Sequence, residues 1–163
     1  MACRSPLAAP IAALTAGAGV ILFLTSPACA AIGHPYDSAE MAVLGYTTEQ
    51  TSSLAGGMTV YTMTRTRTNA VTKSPIIEVL RQVAGPSGVI FGLSWSGIHH
   101  PKLDKLLGSR LPKPLPFAHG SRVLSTSSLE LRMAGTTLHS EGMAWDPTLV
   151  PTGVSISKIL TIP

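Results

Sequence analysis

The sequence predicts an α+β domain, with an antiparallel β-sheet of about five strands in two hairpins and one or two short helices. Three observations support this fold class. Residues 89–96 alternate large and small side chains over a complete strand, which is typical of a half-buried strand. Met58–Thr68 and residues 129–133 alternate in the same way. The turn-forming residues at 85–88 and 134–135 join strands tightly, so the strands are expected to form hairpins.

The first thirty residues have the pattern of a secretory signal peptide. Arg4 precedes an apolar run over residues 7–24, and Ala28 and Ala30 fill the small positions of a cleavage site. We therefore expect cleavage before Ala31, a mature protein in the periplasm or the medium, and no membrane span after cleavage. A membrane anchor is the competing interpretation, but proline and glycine make the apolar run a weak span.

Cleavage would remove both cysteines of the chain, Cys3 and Cys29. The mature domain would then contain neither a disulfide nor a cysteine nucleophile. Lipid attachment at Cys29 stays open as an alternative, although the preceding residues lack the large aliphatic side chain that such sites usually carry. About 130 residues remain, which is enough for one domain that buries most of its surface. We divide them into a polar segment, 31–57, and a single small α+β domain, 58–163.

The charge of the chain is modest, at +4 for 163 residues. Basic residues are dispersed among acidic ones, so no nucleic-acid partner is expected. An envelope component or an anionic surface polymer is the candidate partner, and no cofactor is expected.

The first half of the chain contains one helix signal and three strands. Asp37 is placed to cap a short helix that extends to Leu44. Met58–Thr68 is a strand, and residues 76–83 are β-branched enough to form a second one. Residues 89–96 are the third and clearest strand. We expect its large side chains to face the core together: Val89, Phe91, Leu93 and Trp95.

The second half contains a short helix and a second hairpin. Pro101 opens a helix over residues 101–107, and Gly108 ends it. Proline at every second position of 112–116 favours an extended spacer over a groove-binding ligand motif. Residues 129–133 and 137–145 form the hairpin, and residues 154–160 are too short to classify.

Several segments occur in a characteristic order along the chain. They are Tyr61-Thr62-Met63, residues 89–97 (VIFGLSWSG), Pro101-Lys102-Leu103 with Leu106-Leu107-Gly108, Gly142-Met143-Ala144-Trp145, and residues 149–155 (LVPTGVS). Their joint order resembles a family of exported proteobacterial proteins known as domain of unknown function 2844. The resemblance implies export and a common fold, and it supplies no mechanism. Ile98 stands where the family has proline, and Gly135-Thr136-Thr137 stands where the family has Gly-His-Met, so the role of that histidine is not carried over.

Ser94 lies in four of the five letters of the hydrolase motif G-x-S-x-G, with Ser96 in place of the last glycine. The motif requires a sharp turn from strand to helix, which exposes the serine. The alternation here continues through Ser96, so Ser94 is expected in mid-strand. A metal-dependent or serine hydrolase is therefore the alternative function, and the leading one is a non-enzymatic periplasmic or secreted binding domain.

Three further groups are candidate sites. His99, His100 and Asp104 offer metal ligands, although exposed residues at a helix start explain them equally. Arg65 and Arg67, with Arg81, are expected to form a basic strip on one face of the sheet, which would suit an anionic envelope polymer or protect a sheet edge from aggregation. The remaining binding candidates, which could also be core residues, are Trp95 and Trp145.

Overall fold

The computed structural model describes residues 31–112, 121–136 and 139–163. The expected signal peptide, residues 113–116 of the proline-rich segment and the first two residues of the expected strand 137–145 lie outside these ranges. The described residues form a seven-stranded antiparallel sheet in the order β1-β2-β3-β4-β7-β6-β5. The elements in chain order are α1 (Ser38–Val43), β1 (Thr47–Leu54), β2 (Met58–Thr68), β3 (Pro75–Ala84), β4 (Ile90–Gly97), α2 (Leu103–Leu106), β5 (Arg122–Ser125), β6 (Glu130–Gly135), β7 (Ser140–Trp145) and α3 (Ile156–Ile159).

The antiparallel sheet and the short helices confirm the predicted class, but the number of strands was underestimated. The two strands that sequence reasoning missed are the edges, β1 and β5. Nearly every residue of β1 is exposed, so the strand has no alternation of polar and apolar side chains. β5 has only four residues. The expected polar segment, 31–57, contributes α1 and β1 to the fold.

Each face of the sheet packs against its own apolar cluster. Face A is covered by α1 and α2, and face B is partly covered by the C-terminal segment that contains α3. The cluster on face A includes Met41, Met63, Leu80, Leu93, Trp95, Leu106 and Leu131. The cluster on face B includes Val60, Val83, Phe91, Trp145 and Leu160.

A β-bulge in β4 divides its large side chains between the two faces. Val83 pairs with Gly92 while Ala84 pairs with Ile90, which leaves Phe91 as the extra residue. Phe91 therefore packs in the cluster on face B, whereas Leu93 and Trp95 pack on face A. The prediction that Phe91 faces the same side as Trp95 is wrong, because a bulge reverses the alternation at one residue.

Local signals at the helices are confirmed. The side chain of Asp37 accepts hydrogen bonds from the backbone N–H groups of Ala39 and Glu40, as an N-cap does. The helix expected over residues 101–107 is shorter, with α2 followed by a 3₁₀ turn at Gly108–Arg110.

The segment before α1 is tied to the sheet by backbone and side-chain contacts. The N–H of Gly33 donates to the carbonyl oxygen of Ile90, and the N–H of Ile90 donates to that of His34. Arg110 donates to the carbonyl oxygen of Ile32 at 2.6 Å and forms an ion pair with the buried Asp146 at 2.8 Å. These contacts fix the start of the described chain against the beginning of β4.

Candidate functional site

Ser94 is buried under the C-terminal segment. It is 1 % exposed, and its hydroxyl donates a hydrogen bond to the carbonyl oxygen of Thr161 at 2.9 Å. Leu160 packs at Gly92, where a Cβ would come within 2.8 Å of the Leu160 side chain. Ser94 therefore lies in mid-strand, as the alternation predicts, and its hydroxyl has a structural partner.

A different serine contacts a histidine. The indole N–H of Trp95 donates to Oγ of Ser140 at 3.2 Å, and this oxygen lies 2.6 Å from Nδ1 of His100. Gly142 makes the arrangement possible, because the Trp95 ring occupies the space that a Cβ would need there. Sequence reasoning missed Ser140. It lies 40 positions from His100, and no local sequence pattern indicates a contact across that separation.

The direction of the hydrogen bond between Ser140 and His100 depends on the protonation of the imidazole. Ser140 already accepts a hydrogen bond from Trp95, so its hydroxyl proton can be donated to Nδ1 of His100 when that nitrogen is unprotonated. Burial, and then the nearby His99, lower the pKa of His100 below its usual range. Both effects favour the neutral imidazole, to which the Ser140 hydroxyl can donate.

The candidate metal ligands point to different surroundings. His99, His100 and Asp104 are all exposed, and the ring of His100 turns toward Ser140. Across the described ranges, no three His, Cys, Asp or Glu side chains are grouped closely enough to hold a metal ion.

Arg65 is a buried residue. It is 5 % exposed, and its Nε donates to Oε2 of Glu78 at 2.5 Å. The guanidinium also lies over the ring of Tyr46, 4.5 Å from its centroid, and donates to the carbonyl oxygen of Leu44. Burial raises the pKa of Tyr46 to about 12 against the opposing charge of Arg65. Arg65 therefore cannot serve in the expected basic strip, because it is buried and a carboxylate on the next strand pairs with it.

The expected strip of three arginines does not form either. Arg67 lies on face A with Arg65 and is 46 % exposed. Arg81 pairs with Thr62 and with Ser94 in the sheet register, which places it on face B. Its Nη1 donates to Oγ1 of Thr161 at 2.8 Å.

The register instead brings another pair of arginines into line on face B. Arg81 is opposite Ser94, Ser94 is opposite Met143, and Met143 is opposite Arg132. We call these four residues the arginine row. With inter-strand spacings of about 4.8 Å, the Cα atoms at its two ends are about 14 Å apart. Arg81 and Met143 are half-buried, and Arg132 is exposed.

The two tryptophans belong to the two clusters. Trp95 is 1 % exposed on face A. Trp145 is 8 % exposed on face B, where the guanidinium of Arg132 lies 5.3 Å from its ring centroid. The Trp145 ring therefore packs against the guanidinium at one end of the arginine row.

Residues 28–159 match the family model described as protein of unknown function (DUF2844). The chain belongs to the DUF2844 family. No curated protein and no solved structure matches it.

The family match confirms the resemblance found in the sequence. Within the described part of this DUF2844 protein, no helix has the length and apolar character needed to cross a membrane. Local sequence patterns could not predict the contact between Ser140 and His100, and they could not predict the arginine row. Recognising the arginine row requires the register of four paired strands.

Proposed function

We propose that this DUF2844 protein is an exported domain of the bacterial envelope that binds an anionic polymer through the arginine row. The single observation that carries the proposal is the alignment of Arg81 and Arg132 on face B. The leader-like residues 1–30 support export, because they have the basic, apolar and small-residue regions of a signal peptide.

The surface around the row suits an extended ligand. Beside the arginine row on face B lies a second row of opposed residues. Three of its positions are half-buried and uncharged: Thr64, Val79 and Ser96. Thr161 covers Ser94 in the middle of the arginine row, so a ligand chain would cross the strands over the adjoining row, which continues from Ser96 to Glu141, and would meet one guanidinium toward each end. Two cations carried on Cα atoms about 14 Å apart favour a repeating anion over a single small one.

Retention on immobilised heparin tests this proposal. The chain from Ala31 onward should be retained at low salt and released as salt rises, because screening weakens contacts between exposed charges. Arg81→Gln with Arg132→Gln should lower the salt concentration of elution and make retention less dependent on salt.

The matched control removes two positive charges elsewhere. Arg67→Gln with Lys73→Gln changes the net charge equally, and both residues are exposed near the β2–β3 hairpin. This variant should elute close to the wild type. If both variants elute at equally lowered salt concentrations, net charge explains the retention and the arginine row is refuted as the site. A wild type that heparin does not retain would also refute it. A thermal melt checks that Arg81→Gln remains folded without its contact to Thr161.

Hydrolysis is the second candidate function, and the contact between Ser140 and His100 favours it. A serine hydroxyl that donates to a neutral imidazole is the arrangement by which such enzymes activate a nucleophile. Ser140 is 2 % exposed, so a substrate would reach it only after the residues around it move. A fluorophosphonate probe should label the wild type but neither Ser140→Ala nor His100→Ala, with Ser94→Ala as the labelled control. Absence of labelling in the wild type would exclude this candidate.

A further inference from the structure

Thr161 lies over the middle of the arginine row and is bonded to two of its members. Its backbone carbonyl oxygen accepts a hydrogen bond from the hydroxyl of Ser94 at 2.9 Å. Its own hydroxyl accepts one from Nη1 of Arg81 at 2.8 Å. Ser94 is 1 % exposed, whereas Thr161 is an exposed residue. An exposed residue of the C-terminal segment therefore occupies polar groups that a ligand of the row would use.

The attachment of this part of the chain to the sheet is light. Of residues 155–163, all of which the structure describes, only Leu160 is buried, and its side chain packs at Gly92. The helix α3, which precedes it, contributes no buried residue. The three residues after Leu160 are all exposed. Residues 161–163, which we call the strap, can therefore leave the sheet while Leu160 stays in the cluster on face B.

Arg81 is an incompletely paired cation. Arg65 and Arg110 each form an ion pair with a buried carboxylate, whereas within the described ranges Arg81 has no acidic partner. The Nε of Arg81 is buried and has no hydrogen-bond partner there, and its Nη1 donates to the neutral hydroxyl of Thr161. A guanidinium binds an anion more strongly than it binds a neutral hydroxyl. An anionic ligand can therefore replace Thr161 at Arg81.

We infer, on the basis of the proposed function, that the strap is a displaceable cover of the arginine row and that its release strengthens the binding of an anionic polymer. While the strap is in place, a ligand crosses over the adjoining row. Once the strap is released, Ser94 and Arg81 face the ligand in line with Arg132. Because the ligand and the strap compete for Arg81, each weakens the binding of the other.

Retention on heparin tests the competition. Thr161→Val keeps the shape of the side chain and removes the hydroxyl that Arg81 bonds to. The variant should elute at higher salt than the wild type, with binding about three- to tenfold tighter, because one opposing hydrogen bond is gone. Thr152→Val makes the same change at another exposed threonine and should elute like the wild type. Thr161→Val combined with Arg81→Gln should elute like Arg81→Gln alone.

Failure of the strap and failure of polymer binding give different results. If the wild type is retained and Thr161→Val elutes at the same or a lower salt concentration, the strap is overturned and polymer binding stands. If heparin retains Thr161→Val but not the wild type, the strap is supported although the wild type fails the test of the proposed function. If heparin retains neither protein, both are overturned.

A fluorescent label at residue 162 measures release of the strap directly. The chain from Ala31 onward contains no cysteine, so Ile162→Cys, at a 40 % exposed position, is the single site of labelling. A short heparin fragment should lower the anisotropy of the label as the strap leaves the sheet. In the Arg81→Gln background the anisotropy should be low from the start and change little. Constant anisotropy in a protein that heparin retains would overturn the inference.

Discussion

Single residues decide how the two faces of the sheet are packed. Gly142 accommodates the Trp95 ring, Gly92 accommodates Leu160, and Gly97 accommodates Glu78, where a Cβ would come within 2.8 Å of the Glu78 side chain. At each position a larger residue would force a neighbour to move. The small residues of β4 and β7 are therefore packing determinants, and the resemblance of Ser94 to a catalytic serine follows from its place among them.

Gly142→Ala should destabilise the fold. The added Cβ would overlap the Trp95 ring and lie 2.7 Å from the carbonyl oxygen of Arg132, and neither a buried indole nor a paired backbone can move freely. We expect a loss of about 1 to 3 kcal/mol in the free energy of unfolding, measured by urea denaturation. Ser96→Ala, at a half-buried position of the neighbouring strand, serves as the control with little change. A Gly142→Ala variant as stable as the wild type would contradict this packing.

His100 should make stability depend on pH. Its pKa is lowered in the folded state, so between that pKa and the ordinary value near 6.5 the unfolded chain binds more protons. Stability is therefore complete above about pH 6.5 and falls as the pH decreases toward the folded-state pKa.

The measurement compares thermal melts at pH 7.5 and 5.5 for the wild type and His100→Gln. The decrease in melting temperature on acidification should be smaller in the variant. His34→Gln, at the other end of β4, should retain the wild-type decrease. If His100→Gln shows the same decrease as the wild type, another group is responsible for it.

At the scale of elements, the pairing of β2 with β3 is reinforced by an ion pair that both strands bury. Arg65 is directly opposite Glu78 in the register, and the carboxylate side chain is 3 % exposed. Arg67 approaches the same carboxylate at 3.9 Å. Burial removes both charges from water, which costs free energy. Either charge left buried without its partner would therefore destabilise the fold.

Removing one partner of this pair should cost more than replacing both. Arg65→Met leaves a buried carboxylate without its main cation, and we expect a loss of about 3 to 5 kcal/mol. The double variant Arg65→Met, Glu78→Leu should recover much of that loss, because apolar side chains of similar volume need no counter-charge. Urea denaturation of the four proteins in this double-mutant cycle gives the coupling energy. A double variant less stable than Arg65→Met would contradict this account.

For the whole molecule, the two ends of the described chain hold the sheet from opposite faces. The segment around Ile32 is fixed by Arg110 and packs in the cluster on face A. Leu160 is 1 % exposed in the cluster on face B, and Thr161 bonds to Ser94 and Arg81. Contacts between residues more than sixty positions apart therefore complete both cores.

Leu160→Ala should destabilise the domain as a whole. The change leaves a cavity against Gly92 in the cluster on face B, and we expect a loss of about 2 to 5 kcal/mol in urea denaturation. Ile162→Ala, two residues later and 40 % exposed, is the control and should have a small effect. If both variants lose similar free energies of unfolding, the packing of Leu160 is not what stabilises the domain through the C-terminal segment.

Local patterns in the sequence determined much of the fold. Alternation located β2, β3, β4, β6 and most of β7, and Asp37 marked the start of α1. These features are visible in one sequence because alternation and capping depend on residues close together in the chain. β1 and β5 were missed because an exposed or very short strand need not alternate.

Only the tertiary structure decided which side chains meet. The pairing of Arg65 with Glu78, the burial of Ser94 under Thr161, the contact of Ser140 with His100 and the arginine row all depend on strand register. Register is set by turns, bulges and the burial of both faces, and a shift of one residue would send every side chain of a strand to the other face. Local patterns therefore determined which segments are strands, whereas the surfaces those strands present required the assembled sheet.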